Sequence, residues 1–156
     1  MFARIAGAGL LAAFVAASSA SCATCLTLAG HPDGARLSLL ALPPDDTSFS
    51  IVYAHSVTRT PVTESYRVDG GEIVQTEMRF EQHGPGLPTE ADAGGTFMRS
   101  GNHFVVTMNR RFPAIVMQVH ADQSPRLIAG KRSLDLAQWG NRALALGVIA
   151  GSCAGP

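Results

Sequence analysis

The sequence predicts an all-β fold, an antiparallel β-sandwich or small barrel preceded by an N-terminal signal peptide. Three observations lead there. Apolar and polar residues alternate with a period of two along most of the chain, helical periodicity is scarce, and the alternating runs are cut apart by Gly, Pro and Asp. Successive side chains of a strand point to opposite faces, so such runs bury one face and leave the other polar. A chain of 156 residues with 46% apolar composition fits one domain with its own core.

The N-terminus is read apart from the fold. Met1 to Arg4 gives a short positive start, Ile5 to Ala17 an uncharged Ala/Leu/Val/Phe-rich run, and "SSASCA" the small residues that a signal peptidase accepts. The run is shorter than the ~20 apolar residues that span a bilayer. Residues 1–23 are therefore assigned as signal peptide, cut after Ser21 or Ala23, and residues 24–156 as a single β-rich domain. The expected location is exported and periplasmic, membrane-associated if the signal stays uncleaved. A lipid anchor on Cys22 or Cys25 would lack the usual leucine three residues upstream. Cys25 and Cys153 bracket the folded region and are the disulfide candidate in an oxidising compartment, the alternative being two free thiols.

Each strand has its own signal. "CLTLAG" and "RLSLLAL" open the fold, separated by His31-Pro32-Asp33-Gly34, which is turn chemistry. "TSFSIVYAHSV" puts Phe49, Ile51, Tyr53, His55 and Val57 on one face. "VTESYRV" and "EIVQTEMRF" follow, joined at Asp69-Gly70-Gly71, a hairpin signal. "EQHGPGLPTEADAGG" is too long for a simple turn and reads as a lid or binding loop. "HFVVTM", "AIVMQVH", "RLIA" and "RALALGVIA" supply later strands, with "LDLAQW" a short helical turn.

Register arithmetic marks a polar focus. If Thr58 to Pro61 form a four-residue connection, Val57 faces Val62, His55 faces Glu64 and Tyr53 faces Tyr66. A three-residue loop of Asp69, Gly70 and Gly71 then sets Val62 beside Met78, Glu64 beside Thr76 and Tyr66 beside Val74. The row His55, Glu64, Thr76 crosses an otherwise apolar surface, where the imidazole and carboxylate are expected to satisfy each other, since an unpaired buried polar group costs about 1–3 kcal/mol. Ser56, Thr63 and Glu77 form a second polar row on the opposite face.

Composition narrows the function classes. Formal charge is balanced and the arginines are scattered, so no basic stripe follows a phosphate backbone and nucleic acid is not an expected partner. His31, His103 and His120 lack the spacing of metal ligands, and no metal or cofactor is expected. His103 and His120 are read as surface histidines, the alternative being a pair opposed across a later hairpin. Arg110-Arg111 is placed at a turn, either solvated or as an anion site. Trp139 is read as a core or edge cover.

The strings "YAHSVTRTPVTESY" and "RFEQHGPGLP" resemble a small exported bacterial family catalogued as domain of unknown function 1850. The family pattern marks Tyr53, His55, Ser56, Val57, Thr60, Pro61, Val62 and Glu64, then Gly84, Gly86, Leu87 and Pro88. The chain departs from it at His83 and Pro85, where Ser or Phe and Ala are expected. The resemblance covers about residues 24 to 150, with residues 53 to 88 its specific part. It implies an accessory role beside TAXI-type tripartite (TRAP) transporters, with a solute receptor or permease as partner and a small organic anion as solute.

The leading expectation is an exported, non-catalytic accessory protein whose ligand or partner surface uses Tyr53, His55, Ser56, Thr60, Pro61, Glu64, Thr76, Glu77, Gly84, Gly86, Leu87 and Pro88. A periplasmic hydrolase using His55 with Glu64 is the enzymatic alternative. A Ser-His-Glu site is disfavoured because Ser56 and His55 point to opposite faces. A third reading gives the His55–Glu64 pair the sole task of fixing strand register.

Overall fold

The structure, a computed structural model, describes residues 24–150 and Cys153. The expected signal peptide, its cut positions and Cys22 lie outside the described residues. The strands are β1 (Thr24–Gly30), β2 (Arg36–Ala41), β3 (Ser48–Ala54), β4 (Pro61–Asp69), β5 (Glu72–Phe80), β6 (Phe97–Ser100), β7 (His103–Phe112), β8 (Ile115–Val119), β9 (Arg126–Ala129), β10 (Arg132–Asp135) and β11 (Arg142–Ala150). Short 3-10 turns occupy Ala121–Gln123 and Leu136–Trp139, the second capped by the Asp135 carboxylate, which accepts from the Ala137 N–H.

These strands form two antiparallel sheets, one of four strands in the order β2-β1-β11-β8 and one of seven in the order β10-β9-β3-β4-β5-β7-β6. The fold is all-β, as the alternation predicts. β6 and β10 are additions to the expected strands. Both are four residues long and stand at the edges of the larger sheet. β1 pairs along its whole length with β11, and Cys25 is joined to Cys153 across that seam, Cα to Cα 5.7 Å. The disulfide thus closes the chain near its two ends.

Two apolar clusters line the inner face of the larger sheet. In the first, Phe49, Ile51, Tyr66, Ile73 and Leu127 pack against Leu26, Leu28, Leu40, Leu144, Leu146 and Val119 of the smaller sheet, with Trp139 at its margin. The second gathers Val62, Met78, Phe80, Val106 and Met108 under Leu87 and Ala91, with no residue of the smaller sheet in it. The long loop after β5 therefore covers the half of the face that the second sheet does not reach. Arg110 holds the loop's far arm through a bidentate pair with Asp92 at 2.5 and 2.7 Å. Tyr53 borders both clusters, so it stands at the seam where one cover gives way to the other.

The register differs from expectation in both hairpins. β3 and β4 pair as Phe49 with Tyr66, Ile51 with Glu64, and Tyr53 with Val62, leaving residues 55–60 as the connection. The strand stops at Ala54 because His55 closes a turn: its N–H donates to the Thr60 carbonyl, and its own carbonyl accepts from Arg59, a residue at φ 58°. The shift is four positions in the summed register, an even number, so the inward face survives while every partner changes. In the next hairpin Asp69 pairs with Glu72 around a two-residue Gly70-Gly71 loop whose φ values are 61° and 84°, the positive region that glycine enters freely. A bulge then makes Thr76 the extra residue, so that Tyr66 lies opposite Gln75 and Glu64 opposite Met78.

Candidate functional site

His55 does not meet Glu64. Its side chain is 5% exposed and turned toward the long loop. The ring Nδ1 accepts from the N–H groups of Val57 and Thr58, both at 3.2 Å, and Nε2–H donates to the Pro85 carbonyl at 3.1 Å. Two donors on Nδ1 fix the neutral tautomer with its hydrogen on Nε2. A Cβ added to Gly84 would lie 2.5 Å from the ring Cε1, so only glycine lets the loop lie this close. The two halves of the sequence motif therefore touch, with His55 as the rivet between the β3–β4 turn and the Gly84–Pro88 loop. Gly86 takes φ 87° and Leu87 enters the second cluster at 9% exposed. Every polar atom of the imidazole is already engaged with backbone, which leaves no lone pair for general base work.

Glu64 is held by two phenols. Tyr53 Oη donates to Oε1 at 2.9 Å from the neighbouring strand, and Tyr66 Oη donates to Oε2 from two residues along the same strand. Gln75, 5% exposed, donates from Nε2 to Tyr66 Oη over a long 3.5 Å. Tyr66 stacks on Phe49, ring centroids 5.2 Å apart, which fixes the phenol's direction. Burial, and then the charge and hydrogen bond of Glu64, push both phenols above the usual tyrosine range, Tyr66 also through Tyr53. Both tyrosines therefore serve as donors at any pH near neutrality.

The carboxylate opens into a cavity of about 240 Å³ lined by Ile51, Tyr53, Glu64, Ile115, Met117, Gln118, Val119, Gln123 and Pro125. It lies where β8, an edge strand of the smaller sheet, faces β3 and β4. Arg59 ties this corner together, pairing with Asp122 at 3.0 Å and thereby linking the β3–β4 turn to the 3-10 turn that carries Gln123.

The remaining expected residues scatter. Ser56 is exposed in the turn, Pro61 opens β4 exposed, and Thr60 shares a hydroxyl bond with Thr58 at 2.9 Å. Thr76 uses its hydroxyl on the Ser65 carbonyl at the bulge, and Glu77 meets Arg79 at 3.4 Å. Pro88 is half-buried beside Leu87. Arg110 and Arg111 lie within β7 rather than at a turn; Arg111 pairs with Asp69 at 2.6 Å and Glu72 at 3.2 Å, so both guanidinium groups are matched by carboxylates. His103 begins β7 and approaches Glu81 at 3.6 Å, whereas His120 follows β8 in the other sheet, so the two are not opposed.

Sequence reasoning found Tyr53 and Glu64 and missed Tyr66, Gln75, Gln118 and Gln123 as site residues. One signal was available: the chain has only two tyrosines, and both flank the one glutamate of β4 at inward positions. Gln118 and Gln123 carry no such signal, because β8 and the turn after it reach the cavity only through tertiary packing, and Gln75 comes beside Tyr66 only through the bulge at Thr76.

The family model described as "Domain of unknown function (DUF1850)" matches residues 49–136, more than half of the chain. The chain belongs to this family. No curated protein and no solved structure matches it. The DUF1850 match spans both the His55 rivet and the Glu64 cavity, together with the loop between them. Chemically, the first is a structural fastening. The second is a hydrogen-bonded carboxylate with acceptor capacity to spare, set in a largely apolar recess. Among the described residues no group of three or more His, Cys, Asp and Glu is gathered to hold a metal ion.

Proposed function

We propose that this DUF1850 chain is a non-catalytic ligand-binding module whose seat is the cavity at Glu64, and that it serves as an exported accessory to a TAXI-type TRAP transporter. The observation that carries the binding reading is the convergence of Tyr53 and Tyr66 on one carboxylate at the wall of a cavity. Two phenol donors orient the carboxylate without pairing it with a positive charge, an arrangement that fixes direction for a bound molecule. The transporter association rests on the motif resemblance, and the long Gly/Pro-rich loop and exposed β3–β4 turn supply surface for a receptor or permease. A hydrolase using His55 with Glu64 loses its support, since the two groups have separate partners.

The test is co-purification of the full chain from membranes that contain the solute receptor and permease, followed by mass spectrometry. Recovery of either transporter component is the expected result. Recovery of neither overturns the association, and turnover of an ester or amide panel that is abolished by His55→Ala would overturn the non-catalytic reading.

A further inference from the structure

We infer that the cavity seats a small organic ammonium ion, a primary or secondary amine on an apolar body, rather than an organic anion. This deepens the binding reading above and rests on it. Three features of the wall carry the inference.

The first is charge. Among the described residues Glu64 is the one charged side chain on the cavity wall, and no Lys, Arg or His of them forms an ion pair with it. Its hydrogen-bond partners are the neutral phenols of Tyr53 and Tyr66. A half-buried carboxylate without a counter-cation attracts one and repels an anion. The second is free acceptor capacity. A carboxylate offers about four lone-pair sites, and the phenols use one on each oxygen, leaving room for two N–H donors of a ligand. Gln123 adds a half-buried side-chain amide to the wall, and the aromatic ring of Tyr53 stands in the same wall.

The third is size and polarity. Ile51, Ile115, Met117, Val119 and Pro125 make the rest of the wall apolar. A cavity of about 150 Å³ admits a benzene. The 240 Å³ here takes one ring or an equivalent branched chain with a short ammonium arm, roughly ten non-hydrogen atoms. Met117, an unbranched and flexible side chain, stands in this wall and suits a body of irregular shape.

The experiment uses the full chain, disulfide intact, with three probes of matched shape: phenethylammonium, phenethyl alcohol and phenylpropionate. Binding is followed by calorimetry and by amide shifts at Tyr53, Glu64 and Gln118. The expected result is that phenethylammonium binds at those residues at least tenfold more tightly than the alcohol, that phenylpropionate does not bind, and that Glu64→Gln erases the ammonium preference. Comparing the probes on the unaltered chain needs no variant, so a folding defect in Glu64→Gln leaves the test intact. Equal or tighter binding of the alcohol or the anion at the same residues overturns the ligand class while leaving the cavity as a seat. Failure of all three probes to bind overturns both the ligand class and the cavity as a small-molecule seat.

Discussion

The phenol of Tyr53 donates to Glu64 Oε1 at 2.9 Å although the two residues are not register partners: Tyr53 pairs with Val62, and Glu64 with Ile51. The bond is diagonal across β3 and β4. It brings the tyrosine at the seam between the two apolar clusters onto the carboxylate that Tyr66 also reaches.

Removing the phenols one at a time should give unequal losses. Tyr66 is 4% exposed, bonds a carboxylate and receives Gln75, so Tyr66→Phe strips a charged acceptor of a buried donor and leaves Gln75 without its partner. A hydrogen bond to a charged group contributes about 1.5–3 kcal/mol, and Tyr66→Phe is expected near the upper end. Tyr53→Phe, at a more open position, is expected to cost about 1 kcal/mol. Urea unfolding midpoints measure both; equal or negligible losses would contradict the shared bond.

Alkali should destabilise the fold before it ionises a native tyrosine. A phenol whose folded pKa is raised contributes stability that is complete below its unfolded value, 10.0, and is lost as pH climbs toward the folded value. Each such group removes at most about 1.4 kcal/mol per pH unit above that point. The expected outcome is a stability plateau up to about pH 10 and a fall beyond it, with phenolate absorbance appearing only together with unfolding. Phenolate forming at the ordinary value in a folded chain would contradict the burial of Tyr53 and Tyr66.

The loop rivet predicts a steric penalty at Gly84. Gly84→Ala puts a methyl group 2.5 Å from the His55 ring, and overpacking of this kind costs about 1–3 kcal/mol. His55→Ala removes the acceptor for Val57 and Thr58 and the donor to Pro85, whereas His55→Asn keeps a side-chain acceptor for the turn. Hydrogen exchange at the Val57 and Thr58 amides should accelerate in His55→Ala and recover in His55→Asn. Unchanged exchange in His55→Ala would show that the turn holds without the ring.

Opening the disulfide should lower stability without unmaking the sheets. The Cys25–Cys153 bond closes a loop with a separation of 128 residues, and the chain-entropy model assigns about 5 kcal/mol to so long a loop, an upper figure in practice. Cys153→Ser is expected to shift the urea midpoint down while the far-ultraviolet circular dichroism stays that of a β protein. No shift in midpoint would contradict the bond's role.

Much of the fold was legible because alternation is a local signal. Phe49, Ile51 and Tyr53 do share an inward face, as do Glu64 and Tyr66, and the Gly70-Gly71 hairpin stands where its turn chemistry placed it. β6 and β10 escaped because "FMRS" and "RSLD" are too short and polar to alternate. The register escaped for a different reason. His55 looked like an inward strand residue, yet its ring spends its acceptor on its own turn and ends the strand at Ala54, which no pattern of apolar positions announces. The bulge at Thr76 has the same character: it keeps Gln75 and Met78 in line with the inner face of β4 by changing the parity of β5 midway. The cavity was out of reach because β8 comes to β3 and β4 only through the stacking of the two sheets.

The most direct test of the account is the carbon spectrum of protein labelled at tyrosine Cζ alone, which contains two signals because the chain has two tyrosines. If Tyr53 and Tyr66 both donate to Glu64, Glu64→Gln moves both signals and His55→Asn leaves both where they are. A tyrosine signal indifferent to Glu64→Gln would contradict the convergence on which the proposed seat depends.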